Sequence, residues 1–112
     1  MPPNDPLIYV RHIRDGCERL MECAALRGQA FPERILLDAA CRSLEILGEA
    51  ANKVGPEFRA AHPELPWRQM VAARNVLIHG YEGTDPEIVW AIVEREVPAL
   101  LAMARRLLGE QA

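Results

Sequence analysis

The sequence lacks any apolar run long enough to cross a membrane. A membrane-spanning helix needs roughly 18 or more consecutive apolar residues, and no window of this 112-residue chain supplies them. The first six residues also lack the basic start and apolar stretch of a secretory signal. These absences predict a cytoplasmic protein that makes no membrane contact.

Cysteine is scarce, and its spacing excludes two kinds of site. The chain has an odd number of cysteines and no CxxC pair, which argues against both a disulfide framework and a zinc site. Each cysteine falls in a helix-like stretch, where a free thiol usually behaves as a small buried hydrophobe. The three residues are Cys17, Cys23 and Cys41.

Lysine is almost absent: Lys53 is the only one, and the other basic residues are arginines. The net charge of −3 argues against a protein that coats nucleic acid by bulk electrostatics, because phosphate binding needs concentrated positive charge. A local basic cleft is still compatible with this charge. Arginine suits such a cleft because its planar fork of donors matches a phosphate group.

Strand patterns are missing, whereas helix patterns cover most of the chain. No segment alternates with period two, and no hairpin turn joins β-branched runs. Proline is favoured in the first turn of a helix, and prolines precede helix-like segments at five places. The segments predicted as helices are 6–27, 32–54, 56–62, 66–80 and 86 onward. Pro98 lies inside the last segment and predicts a kink near Val97.

Apolar residues at spacings of three and four give each long helix one face for packing. The predicted stripe residues are Ile13, Cys17, Leu20 and Ala24 on the first helix, Leu37, Ala40, Leu44, Leu47, Ala51 and Val54 on the second, and Val89, Val93, Leu100, Ala104 and Leu107 on the last. Four long helices with short connections predict an all-α, up-and-down four-helix bundle with one short extra helix. The length predicts a single domain over residues 1–112.

Apolar residues also lie on flanking faces of the first helix, at Leu7, Ile8 and Met21. A bundle of this size buries only about 60–65% of the surface of its unfolded chain. We therefore expect apolar surface to remain for a partner, and a symmetric homodimer is the commonest way to cover it.

The stretch that carries candidate chemistry is Arg74-Asn75-Val76-Leu77-Ile78-His79-Gly80-Tyr81. Arg74 falls on or beside the apolar stripe, where a charged residue needs a partner or a purpose. Asn75 and His79 are four residues apart and so neighbours on one helix face. Gly80 frees the backbone, so that Tyr81 need not continue the helical path.

Two interpretations of this stretch remain open from the residues alone. In the first, Arg74 binds a phosphodiester and stabilises developing charge, while His79 moves a proton near neutral pH. In the second, Arg74 is an interhelical ion-pair partner of Glu45 or Glu49 and His79 caps a helix. Spacing alone favours the second, because an Arg and a His five positions apart are common in helices.

The stretch resembles the signature of the HEPN superfamily, in which an arginine, a polar residue and three further positions precede a histidine. The extension to Tyr81 resembles the HepT branch. Further similarity lies in Leu47-Gly48-Glu49-Ala50-Ala51, in Pro66-Trp67, in 85–90 and around Val97-Pro98-Ala99-Leu100. The resemblance spans most of the chain.

The resemblance implies a dimeric helical bundle in which the motifs of both subunits meet in a shared cleft. It implies an endoribonuclease that uses no metal and no cofactor and cleaves RNA through attack by the 2′-hydroxyl, with Arg74 and His79 catalytic and Asn75 supporting. It further implies the toxin half of a type VII-like toxin–antitoxin pair. The antitoxin would be an MntA-like minimal nucleotidyltransferase that transfers AMP to Tyr81.

Two other functions remain as alternatives. One is a non-catalytic HEPN adaptor that binds its partner nucleotidyltransferase and uses the motif as a docking surface. The other is a metal-binding helical bundle, which would need Glu-x-x-His pairs. None of the histidines, which are His12, His62 and His79, follows a glutamate by three positions, so this alternative is disfavoured.

Overall fold

Six α-helices make up the part of the chain that the structure describes. The computed structural model describes residues 5–78 and 85–110, with side chains given for 5–74 and 85–110. The helices are α1 (Pro6–Leu26), α2 (Glu33–Lys53), α3 (Pro56–Ala61), α4 (Trp67–Ile78), α5 (Pro86–Arg95) and α6 (Val97–Leu107). Within these residues there is no strand, and the all-α prediction is confirmed.

The helix starts follow the predicted local chemistry. The Asp5 carboxylate accepts a hydrogen bond from the backbone N–H of Leu7 at 2.9 Å, and the Asp85 carboxylate accepts one from Glu87 at 2.9 Å. Each aspartate thus takes up a backbone donor that the first helical turn leaves free. The α1–α2 turn includes Gly28 with φ +79°, a left-handed conformation that glycine adopts without a steric penalty.

The end of the chain forms two helices instead of the single kinked one predicted from Pro98. Helix α5 ends at Arg95, and α6 begins at Val97 after Glu96. Pro98 has no N–H to donate to the preceding turn, which removes a helical hydrogen bond at this point. The proline therefore ends one helix and stands in the first turn of the next.

Helix α2 is central, because it packs against α1 on one side and α4 on another. Helix α1 also packs against α6. Arg14 on α1 pairs with Glu110, and Arg105 Nη2 on α6 lies 3.6 Å from Glu18 Oε1. Because residues further along α1 meet residues earlier in the α6 segment, the two helices run antiparallel, as an up-and-down bundle requires.

The predicted apolar stripes form the core. All but three of their residues are buried, and the exceptions are partly buried and packed against the core. Those exceptions are Ala24, Leu37 and Leu107. Burial of these stripes is the main source of stability, because each large aliphatic side chain removed from water contributes about 1.5–3 kcal/mol. None of the described helices is both long enough and apolar enough to cross a membrane.

Arg27 joins three helices at one end of the bundle. Its guanidinium carbon lies 4.5 Å from the centre of the buried Trp90 ring on α5. Its Nε is 3.3 Å from Glu33 Oε1 on α2, although this buried atom makes no aligned hydrogen bond among the described residues. Nη1 and Nη2 lie 3.4 and 3.8 Å from Glu94 and Glu87 on α5. Arg27 therefore ties the end of α1 to the start of α2 and to one side of α5.

Candidate active site

Arg74 lies where α4 packs closely against Gly48 of α2. A Cβ placed on Gly48 of α2 would stand 2.5 Å from Arg74 Cβ and 2.6 Å from the backbone oxygen of Met70. Both distances are shorter than real Cβ contacts, so only glycine permits this approach. The base of the Arg74 side chain is thus held against α2, and the residue is half-buried.

An apolar groove runs beside the same helix. It has a volume of about 330 Å³ and lies between α4, the middle of α2 and the α5–α6 junction. Its lining includes Leu44 and Leu47 from α2, Met70 and Ala73 from α4, and Leu100 from α6. Ala73 precedes Arg74, so the groove and the arginine flank the same turn of α4.

The two glutamates considered as partners of Arg74 each have a neighbour on their own helix. Glu45 Oε2 lies 3.3 Å from Arg42 Nη1, and Glu49 Oε1 lies 3.3 Å from Lys53 Nζ. Glu49 also lines a small recess on the α1 side of α2, together with Tyr9 and His12. A pairing of either glutamate with Arg74 stays a prediction.

The remaining motif residues are only partly covered by the described structure. The backbone of Asn75 belongs to α4, which extends to Ile78. His79 and Tyr81, the predicted proton-transfer and modification residues, lie outside the described residues. That Asn75, His79 and Tyr81 form one site with Arg74 therefore stays a prediction.

The other two histidines have separate surroundings. His12 is exposed, with its ring 5.9 Å from that of Tyr9 in an edge-on arrangement. The His62 ring lies 4.5 Å from the Phe58 ring, and its Nδ1 lies 3.4 Å from Glu64 Oε1. Over the described ranges, no three His, Cys, Asp or Glu side chains are grouped to hold a metal ion.

Both tryptophans are buried in the core. Trp67 begins α4, is 7% exposed and donates from its indole N–H to the His62 backbone oxygen at 2.8 Å. Trp90 is 1% exposed on α5. Trp67 therefore fixes where α4 starts relative to α3. The start of α4 in turn determines the position of Arg74 along the α2 axis.

The three cysteines are buried and free. Burial raises the pKa of Cys17 to about 12 and raises the pKa values of Cys23 and Cys41, because a thiolate is poorly solvated in an apolar interior. The neutral thiol is therefore the form present near neutral pH, and the prediction that these residues are structural is supported.

Gly48 is the residue whose part in the site the sequence analysis missed. In the sequence, Gly48 stands out only as a member of the segment from Leu47 to Ala51, which resembles the HEPN superfamily. The signal available was its place inside a 21-residue helix, where glycine costs about 1 kcal/mol relative to alanine. A glycine in the interior of a helix calls for a packing reason, and here the reason is the approach of Arg74.

Comparison with known proteins places the chain in a family. Residues 13–107 match the family model described as "Ribonuclease HepT-like". The match begins within α1 and ends with α6, and it includes the whole of 74–81. No solved structure matches the chain.

Individual relatives agree with that match. The chain is 34% identical over 110 residues to "Putative RNase TTE0752" of Caldanaerobacter subterraneus subsp. tengcongensis, covering 95% of this chain and 96% of the relative. It is 41% identical over 69 residues to "Probable ribonuclease HepT" of Thermococcus cleftensis, covering 62% of this chain and 63% of that protein. With nearly all of its length aligned to the first relative, the chain belongs to the ribonuclease HepT-like family.

Proposed function

We propose that the chain is an endoribonuclease in which Arg74 and His79 act together on a phosphodiester of RNA. The observation that carries the proposal is the family match over residues 13–107, which includes a half-buried arginine held at a glycine-permitted helix contact. An arginine fixed in this way binds a phosphate at a defined position, because less side-chain freedom is lost on binding.

The proposed reaction needs only groups that the motif and the RNA provide. The ribose 2′-oxygen attacks the adjacent phosphorus while His79 removes its proton, and the bond to the 5′-oxygen breaks. The products are a 2′,3′-cyclic phosphate and a 5′-hydroxyl, whose oxygen takes up a proton. Arg74 holds a non-bridging phosphate oxygen and stabilises the charge that develops there. Asn75 orients His79 or the phosphate.

This chemistry is proposed to proceed without metal and in a homodimer. Arg74 supplies the positive charge that a metal ion would otherwise bring to the phosphate. The two motifs of a symmetric dimer face a common cleft, so that two half-sites form one whole. The apolar groove beside α4 is compatible with contacts between subunits near that cleft.

Regulation is proposed to act at Tyr81, two positions after His79. A cognate MntA-like minimal nucleotidyltransferase would transfer AMP to the Tyr81 hydroxyl. The transfer places a negative phosphate and nucleotide bulk beside a phosphate-binding cleft, so RNA is excluded by repulsion and by steric overlap. The chain would then be the toxin of a type VII-like toxin–antitoxin pair acting in the cytoplasm.

The experiment that tests the nuclease proposal is cleavage of labelled RNA by the His79→Ala variant. Acid–base catalysis by a positioned histidine contributes about 10²–10⁴-fold, so the variant should lose at least about a hundredfold in rate. The matched control is His12→Ala, an exposed histidine on α1, which should cleave normally. Circular dichroism of both variants should match that of the parent chain. Near-normal cleavage by folded His79→Ala would rule out the mechanism.

A non-catalytic adaptor gives a different set of results. Expression of such a chain alone would leave cell growth unchanged, and the purified protein would cleave no RNA. A nuclease toxin should arrest growth, and co-expression with its nucleotidyltransferase should restore growth and add the mass of AMP to Tyr81. Absence of both growth arrest and cleavage would favour the adaptor.

A further inference from the structure

A shallow basic trough runs along the outer side of the α3–α4 corner. One recess, of about 380 Å³, is lined by Arg59, Trp67, Arg68, Val71 and Ala72. A second recess, of about 510 Å³, shares Arg59, Trp67 and Arg68 with the first. The two recesses are therefore continuous, and we call the surface lined by the five residues of the first recess the α3–α4 trough.

Two arginines give the trough its charge. Neither Arg59 nor Arg68 forms an ion pair with any residue that the structure describes. By contrast, Arg14 and Arg27 are each paired with a carboxylate outside their own helix. Arg59 and Arg68 line the same two recesses, so the trough carries positive charge that no described carboxylate offsets. A negatively charged ligand would supply the missing opposite charge.

One acidic residue, Glu64, lines the second recess. Its Oε1 lies 3.4 Å from Nδ1 of His62, so it is directed to a neighbour other than the two arginines. It lies beyond the end of the trough that is further from the motif, because it precedes the start of α4. Its charge lowers the affinity of that end for a phosphate, and the favoured path of an anionic chain leads toward α4.

The trough leads to the motif along one face of α4. Positions 68, 72 and 75 follow the i, i+4, i+7 spacing, which places them in one row on a helix. Position 68 is in the trough, and position 75 is the polar residue next to Arg74. Seven residues at a rise of 1.5 Å separate these positions by about 10 Å along the axis. A polynucleotide bound at Arg74 and leaving along this row would pass directly over Arg68.

We propose that the α3–α4 trough binds backbone phosphates of single-stranded RNA next to the cleaved bond, with Arg59 and Arg68 as the phosphate ligands. The inference rests on the proposed nuclease function and adds the path by which the substrate leaves the site. An open groove lined with positive charge is the form that binds a flexible single strand. Trp67 is 7% exposed and offers no ring face for base stacking. The trough therefore binds phosphates and does not select the base sequence.

Binding of a 2′-O-methyl single-stranded RNA, which lacks the nucleophile, measures the trough separately from catalysis. Fluorescence anisotropy would compare the parent chain with an Arg59→Gln/Arg68→Gln variant. The matched control is Arg19→Gln/Arg106→Gln, which removes two exposed arginines from α1 and α6. Loss of two charged contacts should weaken binding about tenfold or more at low salt. The slope of log K against log salt should fall by about 1.4, since each single-strand phosphate contact contributes about 0.7. The control should keep the affinity and slope of the parent.

Glu64→Gln provides a second variant with the opposite expected sign. Removal of its charge should tighten binding of the same RNA, and the gain should shrink as salt rises. The Arg19→Gln/Arg106→Gln control should also cleave RNA at the rate of the parent chain, because Arg19 and Arg106 belong neither to the motif nor to the trough.

The outcomes separate this inference from the proposed function. If the parent chain cleaves RNA but the trough variant binds and cleaves like the control, the trough is not the substrate path, while the nuclease proposal stands. The same holds if the trough variant loses binding to a protein partner and keeps its RNA affinity. If the parent chain neither binds nor cleaves RNA, both proposals are overturned.

Discussion

Gly48 of α2 and Arg74 of α4 lie so close together that a methyl group on Gly48 would come within 2.5 Å of Arg74 Cβ. The two helices can therefore sit no closer than the Gly48 backbone allows, and the arginine side chain starts from a fixed point on the α2 surface. The position of a charged residue in the candidate site is thus determined by a residue with no side chain.

Gly48→Ala should impair activity more than stability. The new methyl group would overlap the backbone oxygen of Met70 and the Cβ of Arg74. Neither atom can move by a side-chain rotation, so α4 as a whole must shift. Overpacking of this kind costs about 1–3 kcal/mol, partly offset by about 1 kcal/mol from the better helix propensity of alanine. Because the shift moves Arg74, the RNA cleavage rate should fall by about a hundredfold. Urea unfolding and single-turnover cleavage measure the two effects.

Gly16→Ala is the control for that experiment. Gly16 also lies inside a long helix, but a Cβ there would stand 3.4 Å from the Ser43 backbone oxygen and 3.5 Å from Leu47 Cβ, which are ordinary contacts. The alanine should keep full activity and leave stability unchanged or raised by up to about 1 kcal/mol. Equal loss of activity in both variants would mean that the close approach at Gly48 has no special part in the site.

Arg74→Lys tests whether the guanidinium shape matters in addition to its charge. A lysine keeps the charge but loses the planar fork that holds two phosphate oxygens. Cleavage should fall by about 10²–10³-fold in Arg74→Ala and by a smaller factor in Arg74→Lys. If Arg74 served only to pair with Glu45 or Glu49, both variants would lose stability in urea, yet the folded fraction would cleave RNA at the normal rate.

The sequence predicts the bundle well because the features that indicate each helix lie within that helix and recur along the chain. Proline at helix starts and apolar spacing along each stripe together define the helices of the described chain and most of their buried faces. The break at Glu96 was predicted only as a kink, because Pro98 shows that a hydrogen bond is lost but not whether the helix continues across the gap. The approach of Arg74 to Gly48 could not be predicted, since it depends on how two helices dock, which single-helix periodicity does not report.

Arg27→Lys should destabilise the bundle mainly through the lost contact with Trp90. A guanidinium stacked on an indole contributes about 0.5–2 kcal/mol, whereas ion pairs with glutamates as exposed as Glu87 and Glu94 contribute about 0–1 kcal/mol. We expect a loss of about 1 kcal/mol in urea unfolding that persists at high salt. Glu94→Gln, the control, should change stability little. A deficit in Arg27→Lys that disappears at high salt would assign the role to the ion pairs.

The buried thiols should make stability depend on pH in the alkaline range. The pKa of Cys17 is raised from 9.0 to about 12, so the unfolded chain loses this proton before the folded chain does. The stabilisation is complete below pH 9 and is lost progressively as pH rises from 9 toward 12. Cys17→Ala should reduce the slope of unfolding free energy against pH in this window.

Iodoacetamide, which reacts with thiolates, should label the buried cysteines of the parent chain only after unfolding. Rapid labelling of the folded chain at pH 8 would contradict the burial of these thiols.

The proposed shared cleft makes activity depend on pairs of subunits, which a mixing experiment can measure. Parent chains would be mixed at fixed total concentration with an inactive Arg74→Ala/His79→Ala variant and allowed to exchange. If a site needs motifs from both subunits, only parent–parent dimers cleave RNA, and activity follows the square of the parent fraction. If each subunit carries a complete site, activity follows the parent fraction itself.

At equal amounts of the two chains, the shared site predicts about one quarter of full activity and the complete site about one half, because random pairing in a symmetric dimer gives binomial populations. Arg19→Gln/Arg106→Gln chains, mixed in the same way, should leave activity unchanged, which controls for dilution and for exchange.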